Sequence, residues 1–224
     1  MIIIDKPSGM TSFGVVARVR RRLSEVAGKK VKVGHTGTLD PFATGVMVLL
    51  VGKACKRAGE LSKKAKTYEA TITLGQSSTT GDPEGEISLI DGPVPTREEL
   101  EGVLKQFTGE VTQTPPMFSA IKINGQRAYK LARKGEIVEI PSRTVTIYSL
   151  ELLEYNFPVV KIRTHVSSGT YIRTLAQDIG KALDTAAYCS ELRRTTVDKW
   201  TVDQAVEIED CVAALQPLEM TLLP

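Results

Sequence analysis

Residues 34–52 read GHTGTLDPFATGVMVLLVG. The second half, from Gly45 to Gly52, is an unbroken apolar run between glycines. A run of that length without alternation is expected as a central strand buried on both faces. The first half is a glycine-rich loop with Asp40-Pro41 in its middle. An isolated Asp-Pro is most often a tight turn in which the aspartate bonds a nearby backbone amide. Here two glycines, a histidine and two threonines crowd the same few positions, directly ahead of a rigid strand. Loops held by such elements are where chemistry tends to sit, which makes Asp40 a candidate functional residue.

Outward from this stretch, KTYEATITLG (66–75) alternates cleanly, with Tyr68, Ala70, Ile72 and Leu74 on one side and Glu69, Thr71 and Thr73 on the other. That is the period of a half-buried strand with Tyr68 facing inward. Residues 2–4 form a further short strand, and DKPSGMTS is turn chemistry leading to Ser12 as the expected helix N-cap. Phe13, Val16, Val19, Leu23 and Val26 then recur at helical spacing, with Arg18, Arg21 and Arg22 on the opposite side. Thr96 and Glu99 predict a capping box for a helix carrying Leu100, Val103, Leu104 and Phe107, closed by Gly109. QSSTTGDPEGE reads as a long polar turn, Asn124-Gly125 as a hairpin turn, and the residues up to Gly135 as a short basic helix. RTVTIYSLELLEY and VVKIRTHV read as strands. SSGTYIRTLAQDIGKAL reads as a loop entering a helix capped by Thr170. Tyr171, Ile172, Leu175, Ile179 and Leu183 share its apolar arc, and Arg173 falls outside it. A helix start with an added arginine suits an anion. The tail 201–224 is expected to be partly helical. Together these elements predict an α+β fold, a mixed and largely antiparallel sheet with packed helices and a protruding insertion at about 112–142.

Composition narrows the class without naming an activity. Across 224 residues, 42% are hydrophobic and 25% charged, ordinary for a globular protein. No apolar run is long enough for a membrane span, and the start does not read as a signal peptide. The three cysteines form no CxxC pair, and no HExxH or clustered acidic pattern is present, so no metal site is expected. A reducing cytoplasm is the simplest compartment. Gly52-Lys53 is followed by Ala54, with Met47 where a P-loop needs glycine, so nucleotide-loop chemistry is excluded. Charge is segregated. Residues 1–66 carry 14 Lys and Arg against 4 Asp and Glu, and residues 67–110 carry 2 against 9. A positive face of that kind attracts a polyanion such as RNA, and solvated helix faces would give the same counts.

GHTGTLDPFATGVMVLLVGKACK closely resembles the catalytic-aspartate segment of the TruB family of pseudouridine synthases. DKPSGMTS, KTYEATITLG with TTGDPEG, PPMFSAIKINGQRAYKLARKG, SSGTYIRTLAQDIG and ELRRT follow in the family's order, over roughly residues 3–196. The resemblance implies the pseudouridine synthase catalytic fold. It also implies isomerisation of the T-loop uridine of transfer RNA, position 55, by base flipping and without a cofactor. It makes Asp40 the essential carboxylate, Arg173 its cationic partner and Tyr68 the ring lying against the target base. Tyr171 and Leu192 match pocket positions, and His35 matches a histidine supporting the rearranged RNA loop. Lys6, Gly37 and Thr38 complete the substrate-binding set. The insertion resembles the family's thumb. The expected partner is the tRNA T-arm, with no membrane, no obligatory protein partner and a monomeric state. Two departures stand out. Only 29 residues follow LRRT, so the expectation is one catalytic domain over 1–224 without the RNA-binding barrel of longer members. SSGTY also lacks the lysine often found before its glycine. A tRNA chaperone, a synthase for another RNA, and an inactive relative are the competing readings.

Overall fold

The computed structural model describes residues 1–123, 125–132, 134–136 and 138–214. In chain order the elements are β1 (Ile2–Lys6), α1 (Ser12–Ala27), β2 (Val33–His35), β3 (Thr44–Val51), α2 (Ala58–Ser62), β4 (Lys66–Leu74), β5 (Gln76–Ser78) and β6 (Ile87–Leu89). There follow α3 (Arg97–Gln106), β7 (Gly109–Gln113), β8 (Lys122–Ile123), β9 (Gln126–Arg127), α4 (Ala128–Ala132), β10 (Arg143–Asn156), β11 (Val159–Val166), α5 (Ile172–Ala182), β12 (Ala187–Val197) and β13 (Trp200–Thr201). The fold is α+β with a mixed, largely antiparallel sheet, as expected. The chain divides into two compact units, Met1–Tyr68 with Arg193–Pro224, and Glu69–Leu192.

In the first unit β3 is the organiser. β1 runs antiparallel along one edge, from Ile2 opposite Leu49 to Lys6 opposite Gly45. Along the other edge β12 pairs in parallel, Arg193 with Thr44 and Arg194 with Gly45, and β2 pairs antiparallel from Val33 opposite Val51 to His35 opposite Leu49. With both edges and both faces covered, Gly45 to Val51 are all buried, which is why the run needs no polar alternation. Val46, Val48 and Leu50 pack with Leu61, Val197 and Trp200. α1 begins one residue earlier than expected. Its N-cap is Thr11, whose side chain accepts from the Gly14 amide at 3.0 Å, and Ser12 is already helical. The buried stripe is Ser12, Val15, Val16, Val19 and Leu23. Phe13 and Val26 are exposed, against expectation.

In the second unit β11, β10 and β7 form an antiparallel meander, with β10 matching Arg143 to Gln113 at one end of its pairing with β7. The alternation of β4 is as predicted, every second residue buried. The Thr96–Glu99 capping box is present, but α3 ends at Gln106 with Phe107 as its C-cap, and Gly109 opens β7 rather than closing the helix. The polar turn 79–86 is the tip of a β5–β6 hairpin. β8 and β9 also form a hairpin, although Asn124 of its predicted turn lies outside the described residues. The N-cap of α5 is Tyr171 rather than Thr170, whose hydroxyl donates instead to the Ser167 carbonyl. Within the tail, 202–204 and 208–210 form single helical turns, and 215–224 lie outside the described residues.

Candidate functional site

The loop before β3 is held through its backbone at nearly every residue. The Ser12 hydroxyl accepts from the Leu39 amide and donates to the Leu39 carbonyl, both at 2.8 Å. Arg194, 1% exposed, donates from Nη2 to the Gly37 carbonyl at 3.2 Å, from Nη1 to the Thr38 carbonyl at 3.4 Å and from Nε to Val46 at 2.8 Å. Lys6 is fully buried, and its ammonium donates to the carbonyls of Pro7, Met10 and Pro41 at 2.6–2.9 Å. The Gly9 amide bonds the same Pro41 carbonyl, the Ser8 hydroxyl bonds Phe42, and the Ala43 amide closes a turn onto the Asp40 carbonyl. The carbonyls of residues 37 to 42 are therefore all committed, while the Asp40 side chain is half-buried. A carboxylate on so fixed a backbone loses little freedom when a substrate arrives, the condition for effective positioning.

Two buried cations underlie this loop. Lys66, at the start of β4, bonds the carbonyls of Ser62 and Lys64. Its ammonium is pushed down to about 8, first by burial and then by the Arg194 charge. Lys66 and Arg194 lie side by side under Gly37: a Cβ placed on that glycine would meet Lys66 Cε at 3.5 Å and Arg194 Nη1 at 3.6 Å. Tyr68, two residues along β4, is 7% exposed. His35 ends β2 opposite Leu49. Thus Lys6, Gly37, Thr38 and Asp40 share one assembly in the first unit.

The second unit holds Tyr171, Arg173 and Leu192. Arg173 lies outside the apolar arc of α5, yet it is 2% exposed. Its Nη1 bonds the Asp82 carboxylate at 3.0 Å and the Thr80 carbonyl at 2.8 Å, and Nη2 bonds the Phe118 carbonyl at 2.7 Å. Asp82, 3% exposed, also accepts from the Thr80 hydroxyl at 2.6 Å and the Glu84 amide at 3.0 Å. A charge this deeply buried is stable only when so paired and hydrogen-bonded. Tyr171 is held by Gln113, whose side-chain amide bonds both its N–H and its carbonyl. Leu192, 8% exposed, sits on β12.

Sequence reasoning passed over Ser12 as a loop anchor, Lys66, Asp82, Gln113 and Arg194. One signal was available for Arg194: along a strand it shares its face with Leu192, two residues before it. Among the described residues no group of three or more His, Cys, Asp or Glu could hold a metal ion, and no helix is long and apolar enough to cross a membrane.

Comparison with known proteins gives this geometry its family. The model of the TruB family pseudouridylate synthase N-terminal domain matches residues 21–172. The tRNA pseudouridylate synthase B C-terminal domain model matches residues 173–223. A tRNA pseudouridine synthase B of Parabacteroides distasonis is 48% identical over 215 residues, covering 94% of this chain and 90% of that protein. One of Aquifex aeolicus is 43% identical over 224 residues, covering 99% of this chain and 76% of that protein. Among solved structures, a chain of a Cbf5-Nop10-Gar1 complex superposes with a TM-score of 0.69 at 32% identity, over 95% of this chain and 53% of that one. A chain of an H/ACA RNP bound to a substrate RNA containing 2'-deoxyuridine gives 0.68 at 30%, over 95% and 52%. The chain thus spans about half the length of those two structural neighbours. Family models over most of the sequence and relatives approaching half identity make this chain a member of the TruB family of pseudouridylate synthases.

Proposed function

We propose that this chain isomerises a uridine of transfer RNA, position 55 in the T-loop, to pseudouridine, with Asp40 as the essential carboxylate. The observation that carries the reading is the loop 37–42, whose backbone is committed carbonyl by carbonyl around one half-buried aspartate. The relatives named tRNA pseudouridine synthase B favour tRNA as the substrate. The reaction breaks the bond from C1′ to N1, turns the uracil and joins C1′ to C5; the hydrogen on C5 leaves as a proton and N1 takes one up, so the product is an isomer of uridine. No electrons are gained or lost and no cofactor is required. Asp40 acts by covalent attack on the sugar or base, or by assisting departure of the uracil. Both routes end in loss of the C5 hydrogen.

In this reading Arg173 serves the reaction as a catalytic arginine, its guanidinium aimed by the Asp82 carboxylate and by the carbonyls of Thr80 and Phe118. Tyr68 offers its ring to the base, and its hydroxyl is a candidate for proton transfer. Tyr171 and Leu192 line the pocket, and His35 supports the rearranged RNA loop. Lys6, with its ammonium turned onto three carbonyls, serves the substrate site by holding the Asp40 loop. The target base must leave its stack at a cost of about a few kcal/mol. Contacts from exposed Arg18, Arg21, Lys29, Lys30 and Lys53 to phosphates offset that cost. The chain works as a cytoplasmic monomer.

Tritium release from a tRNA transcript labelled at uracil C5 tests this. Wild type should release tritium and Asp40→Asn should not, while the variant still binds tRNA. Release from ribosomal or guide-paired RNA and none from tRNA would favour the reading suggested by the H/ACA neighbour. Retention of tRNA folding activity by an inactive wild type would favour a chaperone.

A further inference from the structure

The N-terminus of α5 is organised from a different strand. Tyr171 stands at the N-cap, and its side chain makes no capping bond. Gln113, the last residue of β7 and 2% exposed, grips it instead. Gln113 Oε1 accepts from the Tyr171 amide at 2.8 Å, and its Nε2 donates to the Tyr171 carbonyl at 3.0 Å. That carbonyl also receives the Leu175 amide at 3.0 Å, so Gln113 holds the residue from which the helical ladder starts. A second grip comes from Arg143, which faces Gln113 across the β7–β10 pairing. Its guanidinium lies 5.0 Å from the centre of the Tyr171 ring and donates to the Gly169 carbonyl.

Gln113 and Arg143 are also the residues at which the chain leaves and rejoins the β7–β10 ladder. Between them lie β8, β9 and α4. This excursion reaches α5 twice more, through the Phe118 carbonyl on Arg173 at 2.7 Å and the Thr114 carbonyl on the Thr174 hydroxyl at 3.4 Å. The backbone of Tyr171 and the guanidinium two residues beyond it are thus set from the base of one segment. A buried side-chain amide has many ways to satisfy itself. Here both of its atoms are spent on the main chain of a single residue, which fixes that residue's height and rotation together.

We propose that Gln113 is a positioning residue for the isomerisation, holding Tyr171 and, through the first turn of α5, Arg173 in the pose the reaction uses. The proposal rests on the reading of Tyr171 and Arg173 as site residues. It predicts a loss in the chemical step rather than in RNA affinity, because a displacement of about 1 Å at a reacting centre is enough to cost about 100-fold.

The experiment uses the full chain and a tRNA transcript labelled at uracil C5. Single-turnover tritium release, tRNA dissociation constant, thermal midpoint and amide exchange are compared for wild type and Gln113→Leu. The rate should fall about 30- to 100-fold, with the dissociation constant within about threefold. Exchange should quicken at Tyr171 and Ile172 while β10 and β11 keep their protection. If the leucine variant does not fold, Gln113→Glu carries the test. It keeps the acceptor for the Tyr171 amide, but it sets a carboxylate oxygen against the Tyr171 carbonyl and buries a charge there, so a loss of at least about tenfold is expected. An unchanged rate, or a loss that follows the dissociation constant or the thermal midpoint alone, overturns the proposal. Wild type that releases no tritium overturns the proposed function and this inference with it. Active wild type beside an equally active variant overturns this inference alone.

Discussion

The Ser12 hydroxyl holds Leu39 at both its amide and its carbonyl, 2.8 Å each, tying the residue before Asp40 to the first turn of α1. Ser12 and Leu39 are both buried, so neither backbone group has water to fall back on. Ser12→Ala therefore leaves an unpaired amide and an unpaired carbonyl, each worth about 1–3 kcal/mol. The expected result is a lower urea midpoint together with slower tritium release at saturating tRNA. Affinity for tRNA should hold, because Ser12 offers nothing to RNA. An alanine variant with unchanged turnover would show that the loop keeps its shape without this anchor.

Asp82 is a counter-ion of Arg173, and both are almost fully buried. Removing one member of such a buried pair costs about 3–5 kcal/mol. Asp82→Ala should therefore lower stability by that order in a denaturant titration. Asp82→Asn, which keeps an acceptor and loses the charge, should cost less. Each should also slow the reaction, since the Arg173 guanidinium is aimed by this carboxylate and by the carbonyls of Thr80 and Phe118. Full activity in Asp82→Ala would separate Arg173 orientation from Asp82.

The contrast between Arg173 and β3 shows what a single sequence discloses. The apolar run of β3 and the alternation of β4 were legible because burial on two faces or one imposes a period on neighbouring residues. The Thr96–Glu99 box was legible because both partners are local. Arg173 was not, because the helical wheel sees only its own helix, and the partner that permits burial arrives from residue 82. Thr11 and Ser12 are equally good caps by residue type. A bond to Leu39, 27 residues on, diverts Ser12 to the loop. Phe13 stands about 100° around α1 from Ser12 and so off the buried stripe, and Val26 stands next to the last residue of the helix. β12 was missed as a strand because its AYCSELRRTTV mixes charge with apolar residues. The two arginines in it face a carboxylate and a set of carbonyls that local pattern cannot reveal.

Gly45 is a position where the close approach of two strands excludes any side chain. Its φ is +102°, and a Cβ there would sit 2.2 Å from the Arg194 carbonyl oxygen and 2.8 Å from its amide nitrogen. Backbone cannot yield as a flexible side chain does, and the parallel pairing of Arg194 with Gly45 lies at this point. Gly45→Ala should cost about 3 kcal/mol or more from the strained φ and the clash together. Any protein that folds should be less active, because the displaced strand carries the guanidinium that bonds Gly37 and Thr38. Soluble yield and urea unfolding check the first expectation. Tritium release by the folded fraction checks the second.

Lys66 gives the stability a pH dependence of known sign. Its ammonium titrates at about 8 in the folded protein, lowered by burial and by Arg194, against about 10.4 in an unfolded chain. Between those values the unfolded state binds more protons, so stability rises with pH across that window. The contribution is fully present above the unfolded value and is lost as pH falls through about 8, where the folded protein must carry a second buried cation beside Arg194. Replacing Lys66 by methionine removes the titration and keeps the apolar stem. The unfolding free energy of wild type, measured relative to Lys66→Met, should therefore climb from pH 8 towards pH 10 and flatten below pH 7. A difference that stays level across this range would mean that Lys66 keeps an ordinary lysine ionisation. The adjacency of Lys66 and Arg194 would then carry no electrostatic cost for the loop above it.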